Sequence, residues 1–269
     1  MFNDADLSYF TFVATQAALY SGELLRKGFG TRYSITSKPG KQNFVTQYDN
    51  ESENRIIAFI KKHFPDHTFL AEESGLSHLE TNDRIHWVID PLDGTTNFAH
   101  CLPFFTISIC ATYKGQELVG VIYQPMTHEL FVAEKRKGAY LNGEILRVSQ
   151  TAAMGDALIG SGFPYSDMPN FDQTMNQFIQ LSKLGITLRN FGSAALALAY
   201  VAAGRLDGFW MVNLYPWDIA AGKLLIEEAG GIVTIYNQQK PYENAPLNVI
   251  AANNKLYKDL ADQIPSLQK

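Results

Sequence analysis

The most informative stretch of the chain is Trp87-Val88-Ile89-Asp90-Pro91-Leu92-Asp93-Gly94-Thr95-Thr96-Asn97-Phe98. Apolar residues run directly into two aspartates, and a Gly-Thr-Thr-Asn segment follows. A short apolar run of this kind predicts a buried strand, and the residues after it are typical of a turn at which a helix begins. The strand would therefore deliver two carboxylates to the start of a helix.

Two carboxylates this close together indicate a cation site, because crowded carboxylates repel each other unless positive charge lies between them. Pro91 fixes its own φ and restricts Asp90 to extended conformations. This stiffens the spacing between Asp90, Asp93 and the carbonyl group of Leu92. Oxygen ligands of this type suit Mg²⁺ or Mn²⁺ and not zinc. The alternative is that Asp93 is the N-cap of the helix, a role that is compatible with metal ligation.

The turn that follows the aspartates suits a phosphate group. Gly94 lets the backbone approach a ligand closely, and the N–H groups of Gly94 and Thr95 would point at an anion with a helix dipole behind them. The Thr95 hydroxyl group would either cap the helix or orient a water molecule beside the cations. The stretch as a whole predicts a divalent cation and a phosphate group side by side.

Other polar positions are ambiguous when each is taken alone. Glu72-Glu73 follow a short predicted strand, and a solvated surface pair is the simpler interpretation. Asp218 lies in the first turn of a predicted helix, where an acidic residue is electrostatically favoured whether or not it binds a metal. Gly192-Ser193-Ala194 precede another helix and would form either a cap or a second site for an anion or a hydroxyl group.

The composition is typical of a soluble globular protein, with 46% hydrophobic residues, 18% charged residues and a formal net charge of −5 in 269 residues. No Lys/Arg cluster stands out, which argues against nucleic acid as the main ligand. The two cysteines form neither a disulfide framework nor a zinc pattern. No signal peptide and no apolar run of about 18 residues is present, so we predict a cytoplasmic protein that does not contact a membrane.

Hydrophobic periodicity predicts helices at 4–28, 50–64, 171–184, 193–203 and 216–229, with a closing helix from about 254. Strands are predicted at 68–71, 87–90, 105–113, 118–123, 130–133, 187–190, 208–211, 232–236 and 249–252. Hairpin turns are expected at Lys114-Gly115 and Asn142-Gly143, which implies an antiparallel sheet. The chain is predicted to form two closely packed parts. Residues 1–150 form an α+β half with the large antiparallel sheet and the metal-binding motif, and residues 151–269 form an α/β half that completes the active site.

Together these segments resemble the inositol monophosphatase family, within the wider group of Mg²⁺-dependent, lithium-sensitive phosphomonoesterases. The strongest matches are Ala71-Glu72-Glu73-Ser74-Gly75, the stretch 87–98 and the segment 217–231. Gly162-Phe163-Pro164, the Ala-rich helix after Ser193 and Tyr215-Pro216-Trp217-Asp218 are similar to the bacterial branch of the family.

The resemblance implies an α/β (α+β) fold, a layered α-β-α-β-α sandwich of the sugar-phosphatase type, and a homodimer. It also implies Mg²⁺-dependent hydrolysis of a phosphate monoester, myo-inositol 1-phosphate, by metal-activated water. Two or three Mg²⁺ ions per site are expected, with Mn²⁺ as an alternative, and lithium is expected to inhibit.

The resemblance further assigns a role to each matching residue. The predicted metal ligands are the side chains of Glu72, Asp90, Asp93 and Asp218 and the carbonyl group of Leu92. Glu72, Thr95 and Asp49 are the predicted catalytic residues, with Asp49 and Thr95 orienting the attacking water. The predicted substrate-binding residues are Lys38, Asp93, Gly94, Thr95, Gly192, Ser193, Ala194, Met211 and Asp218.

Two residues depart from the family pattern, and one of them bears on specificity. Asn43 stands where the family has Asp, which is expected to alter local hydrogen bonding and not the reaction. Met211 stands where inositol-specific members have a Glu that binds a substrate hydroxyl group, and Met cannot accept that bond well. The alternative substrates are therefore fructose 1,6-bisphosphate, NADP, histidinol phosphate and adenosine 3′-phosphate. The resemblance to the bacterial branch also leaves open a regulatory binding protein that works through protein contacts.

Overall fold

Helices and sheets alternate in five layers in the computed structural model, which describes residues 2–32, 35–37, 44–77, 83–163, 171–236 and 246–264. Two long helices cover one face of a large sheet, two central helices separate it from a smaller sheet, and further helices cover the outer face of the smaller sheet. This arrangement confirms the predicted α-β-α-β-α sandwich. Within these ranges, none of the helices is long and apolar enough to cross a membrane.

The large sheet has eight strands in the order β10-β9-β8-β7-β6-β5-β3-β4 and is antiparallel except where β3 and β5 run parallel. A separate two-stranded ribbon precedes it in the chain. The ribbon strands are β1 Ile35–Ser37 and β2 Phe44–Thr46. The strands of the large sheet are β3 Thr68–Ala71, β4 Gly75–Ser77, β5 Ile85–Asp93, β6 Thr106–Tyr113, β7 Gln116–Gln124, β8 Glu129–Glu134, β9 Gly138–Leu141 and β10 Glu144–Ile145.

The smaller sheet has five strands in the order β12-β11-β13-β15-β14 and mixes parallel with antiparallel pairs. Its strands are β11 Leu158–Ser161, β12 Thr187–Arg189, β13 Gly208–Leu214, β14 Ile232–Tyr236 and β15 Leu247–Ala252. The predicted division at residue 150 falls between the two sheets. It stays a prediction, because the central helices pack against both sheets.

The helices in the described ranges are α1 Asp4–Gly28, α2 Gln47–His63, α3 Thr95–Ala99, α4 Phe171–Lys183, α5 Ala194–Ala202, α6 Pro216–Glu228 and α7 Tyr257–Gln263. The amphipathic pair α1 and α2 covers the outer face of the large sheet, and α5 and α6 form the central layer. A Cβ atom at Gly120 would lie 2.9 Å from the carbonyl oxygen of Ala221, so β7 and α6 approach each other at backbone distance. This close approach brings the start of α6 to the strands that carry the acidic motif.

Several predicted boundaries are wrong for local reasons. Helix α2 begins at Gln47 and not at 50, because the Thr46 and Asp49 side chains form a reciprocal cap at its start. Helix α7 begins at Tyr257 and not at 254, because the Asn253 side chain accepts the N–H groups of Lys255 and Leu256 and makes a turn there. The predicted hairpins are confirmed, and at Asn142-Gly143 both φ angles are positive, as in a type I′ turn.

Candidate active site

Three aspartates from two distant segments meet in the interior. Asp90 and Asp93 lie at the end of β5, and Asp218 lies in the first turn of α6. One carboxylate oxygen from each lies within 4.8 Å of the others. Asp90 is 1% exposed, Asp93 is 8% exposed and Asp218 is half-buried, so most of the cluster is shielded from solvent.

The geometry of β5 explains how both of its aspartates reach one place. Side chains alternate along a strand, so residues three apart point to opposite faces. The pairing of β5 with β6 shifts register between Asp90 and Asp93, and Pro91 lies inside this irregularity. A bulge re-aims the side chains beyond it, and it tolerates a proline that has no N–H to donate. The Leu92 N–H group donates to Asp90 Oδ1 at 3.0 Å and fixes the turn.

Asp218 lies at the start of α6, and its position is compatible with both interpretations of the sequence. Its Oδ2 accepts the Tyr215 N–H at 2.6 Å, which caps α6, and its carboxylate also belongs to the aspartate cluster. The carbonyl group of Trp217 accepts a hydrogen bond from the Ser108 hydroxyl group of β6 at 3.1 Å. This bond ties the start of α6 to the large sheet and so positions Asp218.

Burial raises the pKa of every member of the cluster, and repulsion by neighbouring carboxylates adds to the shift at Asp90 and Asp218. For Asp90 the largest cause is burial, followed by the negative charges of Glu72, Asp93 and Asp218. Burial and the charge of Asp93 likewise raise the pKa of Asp218. Burial raises the pKa of Asp93, although hydrogen bonds from Ser193 and from the amides at the start of α5 oppose the shift. A compact set of hard oxygen donors with unrelieved negative charge fits a divalent cation.

Glu72 lies outside the tight trio but close enough for its charge to raise the pKa of both Asp90 and Asp218. It follows β3, and its N–H group donates to the carbonyl oxygen of Ile89 at 3.2 Å. Glu72 and Glu73 are both half-buried, so the interpretation as a fully solvated surface pair is wrong.

Thr95 and Asp49 are brought together as predicted. The Thr95 hydroxyl group donates to Asp49 Oδ1 at 2.8 Å, and the Leu92 carbonyl oxygen lies 3.1 Å from the same hydroxyl. Asp49 Oδ2 accepts from the N–H and hydroxyl groups of Thr46 at 2.7 and 2.6 Å. Burial raises the pKa of Asp49 to about 6, against the lowering effect of these hydrogen bonds.

The proposed capping of the motif helix by Asp93 is wrong. The N-cap of α3 is Gly94, with a φ of 101° and no side-chain cap, and a Cβ atom there would lie 2.8 Å from the Phe104 carbonyl oxygen. Asp93 Oδ2 instead accepts from the Ser193 hydroxyl at 2.5 Å and from the Ala195 N–H at 2.7 Å. Asp93 therefore caps α5, a helix 100 residues further along the chain.

The contacts of Asp93 help to decide whether Gly192-Ser193-Ala194 form a helix cap or a second site for an anion. The Ala194 N–H group lies 3.3 Å from Asp93 Oδ1, and Ser193 Oγ accepts the Leu196 N–H at 3.2 Å. The structure thus favours a cap over a separate anion site at this helix start. Substrate contacts by these residues stay a prediction.

The structure describes only some of the remaining residues that the sequence singled out. Lys38 and Asn43 lie outside the described residues. Met211 is half-buried in β13, and a Cβ atom at Gly162 would lie 2.5 Å from its Cε atom, so the two residues are in direct contact. Sequence reasoning missed Ser52 and Glu53, two buried polar residues of α2 that follow Asp49 at helical spacing.

The family model of the inositol monophosphatase family matches residues 6–269, and the chain belongs to that family. Its members are metal-dependent phosphatases that act on small phosphate esters. The resemblance found in the sequence is thereby confirmed.

Relatives cover nearly the whole chain. Nus factor SuhB of Escherichia coli (strain K12) is 43% identical over 248 residues, which cover 91% of this chain and 92% of that protein. Inositol-1-monophosphatase of a Synechocystis species is 38% identical over 264 residues, which cover 98% of this chain and 91% of that protein. The crystal structure of the extragenic suppressor protein suhB from Bartonella henselae matches with a TM-score of 0.87 and 37% identity, covering 95% of this chain and 98% of that chain.

Proposed function

We propose that this protein hydrolyses a phosphate monoester by direct attack of water, with myo-inositol 1-phosphate as the substrate. One observation carries the proposal: the convergence of Asp90, Asp93 and Asp218 beside the Thr95–Asp49 hydrogen bond. Family membership supports the same chemistry.

Divalent cations complete this proposal. Glu72, Asp90, Asp93, Asp218 and the carbonyl group of Leu92 would hold them. We propose Mg²⁺, two or three ions per site, with Mn²⁺ as the alternative. When bound, such cations supply Lewis-acid charge that acidifies a water molecule and offsets the negative charge of the phosphoryl and leaving groups.

Thr95 and Asp49 would handle the proton of the attacking water. Because Thr95 donates its only hydroxyl proton to Asp49 Oδ1, its oxygen lone pairs are left to accept a hydrogen bond from water. Asp49 would then stabilise the transfer of that proton through Thr95. The N–H groups of Gly94 and Thr95, together with Lys38, would hold the phosphoryl oxygens.

Substrate choice would depend on the side of the site that carries Met211. Because the Met211 thioether is a poor hydrogen-bond acceptor, selection for one pattern of hydroxyl groups would be weaker. Fructose 1,6-bisphosphate, NADP, histidinol phosphate and adenosine 3′-phosphate are the competing substrates.

A phosphate-release assay over these esters tests both reaction and substrate. Asp93→Asn should lower kcat by about a thousandfold or more in saturating Mg²⁺, because it removes the negative charge of a residue that would hold the cation. Asp207→Asn is the matched control, because Asp207 is also 8% exposed but does not belong to the aspartate cluster. Its carboxylate instead accepts a hydrogen bond from the Leu158 N–H at 2.7 Å. Near-normal turnover by Asp93→Asn would show that the metal assignment is wrong. Inhibition by Li⁺ at about tens of millimolar is expected, and its absence would count against a shared metal position.

A second candidate, a regulatory binding protein, is favoured by the name Nus factor SuhB that several relatives carry. Affinity capture from native lysate with wild-type and Asp93→Asn protein separates the two roles. A specific partner retained equally by both would establish a contact that does not depend on turnover. A homodimer in the cytoplasm remains part of the proposal.

A further inference from the structure

One buried face of α2 touches three separate parts of the acidic site. Asp49, Ser52 and Glu53 lie at positions i, i+3 and i+4, which share one side of a helix. They are 0%, 0% and 3% exposed, although all three are polar. Asp49 binds Thr95, whereas Ser52 and Glu53 bind backbone groups next to predicted metal ligands.

Glu53 holds the turn that carries Glu72. Its Oε2 accepts the Glu73 N–H at 2.8 Å, and its Oε1 accepts the Ser74 N–H at 2.9 Å. A carboxylate that bridges two successive amides fixes the backbone orientation of both. The Glu72 N–H is held from the other side by the carbonyl oxygen of Ile89 at 3.2 Å. The backbone around Glu72 is thus fixed by hydrogen bonds on both sides.

Ser52 holds the backbone just before the predicted carbonyl ligand at Leu92. Its hydroxyl group donates to the Pro91 carbonyl oxygen at 2.7 Å. Since a serine hydroxyl has one proton, Ser21 of α1 must be the donor in the Ser21–Ser52 contact of 2.7 Å. Helices α1 and α2 together therefore anchor the bulge of β5.

The two anchored segments repel each other. Glu72 on one segment is half-buried and Asp90 on the other is buried, and the two acidic side chains are close enough to interact electrostatically. Without a cation this repulsion favours separation of the segments. Hydrogen bonds from a common rigid helix oppose that separation, and pre-arranged ligands are a recurrent requirement of metal sites.

We propose that Glu53 and Ser52 are positioning residues that hold the Glu72 turn and the Pro91-Leu92 segment at a fixed separation, so that the metal-binding oxygens are arranged before cations arrive. This inference rests on the proposed metal-dependent function. It assigns to α2 a second role beside its contribution to the core.

The test compares Glu53→Gln and Ser52→Ala with Glu51→Gln, an identical change on the exposed side of the same helix. Mn²⁺ binding to the full chain is titrated without substrate, and amide exchange of the 72–76 segment is measured without metal. Glu53→Gln leaves one amide facing an NH₂ group, so the turn should exchange faster and Mn²⁺ affinity should fall by about 10–100-fold. Ser52→Ala should weaken Mn²⁺ binding without altering exchange at Glu73 and Ser74. Glu51→Gln should change neither quantity.

Unchanged Mn²⁺ affinity in a folded Glu53→Gln protein would overturn the inference, whether or not the exchange of the turn changes. If Glu53→Gln does not fold, Ser52→Ala decides: wild-type Mn²⁺ affinity in that variant overturns the inference, and weakened binding supports it. A different result would refute the proposed function. Wild-type protein that binds Mn²⁺ but releases phosphate from none of the esters would refute the phosphatase and leave the positioning role standing.

Discussion

The hydroxyl group of Thr95 donates a 2.8 Å hydrogen bond to the carboxylate of Asp49, although 46 residues separate them in the chain. Asp49 belongs to the first turn of α2, and Thr95 is the first residue of α3. The contact joins a helix from the outer layer to the turn that ends β5. Because the bond uses the hydroxyl proton of Thr95, the lone pairs of its oxygen are left to accept a hydrogen bond from a water molecule.

Replacing Thr95 tests this contact directly. Thr95→Ala removes the hydroxyl group that would accept the water's hydrogen bond, so kcat should fall by about 10²–10⁴-fold with little change in KM. Thr95→Ser keeps the hydroxyl group and should restore most of the activity. Steady-state kinetics of both variants provide the measurement. Equal losses in the two variants would mean that the methyl group and not the hydroxyl matters.

The ionisation of Asp49 gives a second prediction. Burial raises its pKa to about 6, and only the ionised carboxylate accepts both the Thr46 and Thr95 protons. In the metal-free protein the Asp49 carboxyl group should therefore titrate near pH 6 in a carbon-detected NMR experiment. Mg²⁺ should move the midpoint lower, because nearby positive charge favours the ionised form. A midpoint near that of an ordinary aspartate without metal would contradict the burial argument.

Removal of metal should expose the repulsion within the aspartate cluster. Because the folded-state pKa values of Asp90, Asp93 and Asp218 are raised, their protonated forms stabilise the fold at low pH. That stabilisation is lost as pH rises through the raised values. Mg²⁺ at about 100 times its Kd should add about 2.7 kcal/mol, which raises Tm by roughly 5–10 °C. At the same Mg²⁺ concentration the increase should be larger at about pH 8 than at about pH 5, because protons compete with Mg²⁺ for the carboxylates at low pH and raise its Kd.

Calorimetry in EDTA and in Mg²⁺ at both pH values checks this result. Asp218→Asn is the informative variant, because an amide oxygen can still accept the Tyr215 N–H while the charge is lost. Its metal-free Tm at the higher pH should exceed that of the wild-type protein, and its Mg²⁺ response should be small. A Mg²⁺ response independent of both pH and Asp218 would place the stabilising cation elsewhere.

The strand that carries Asp90 and Asp93 could be predicted because burial on both faces leaves an unbroken apolar run before the polar turn. The role of Asp93 at the start of α5 could not be predicted. The sequence around residue 93 contains no signal for a contact with a residue 100 positions further along the chain. Glu53 was missed for a related reason. The predicted helix began at residue 50, which removed Asp49 from its register and hid the shared buried face of α2.

Specificity gives the last prediction, because Met211 lies against Gly162 where the family resemblance predicts contact with the substrate alcohol. Met211→Gln preserves side-chain length and adds an acceptor for a substrate hydroxyl group. One neutral hydrogen bond contributes about 0.5–1.5 kcal/mol, so kcat/KM for inositol 1-phosphate should rise about two- to tenfold relative to the other esters. Met211→Leu has similar volume but no acceptor and should leave the ratio unchanged. If both variants shift the ratio equally, packing against Gly162 controls selection and hydrogen bonding does not. If neither does, the alcohol group binds away from β13.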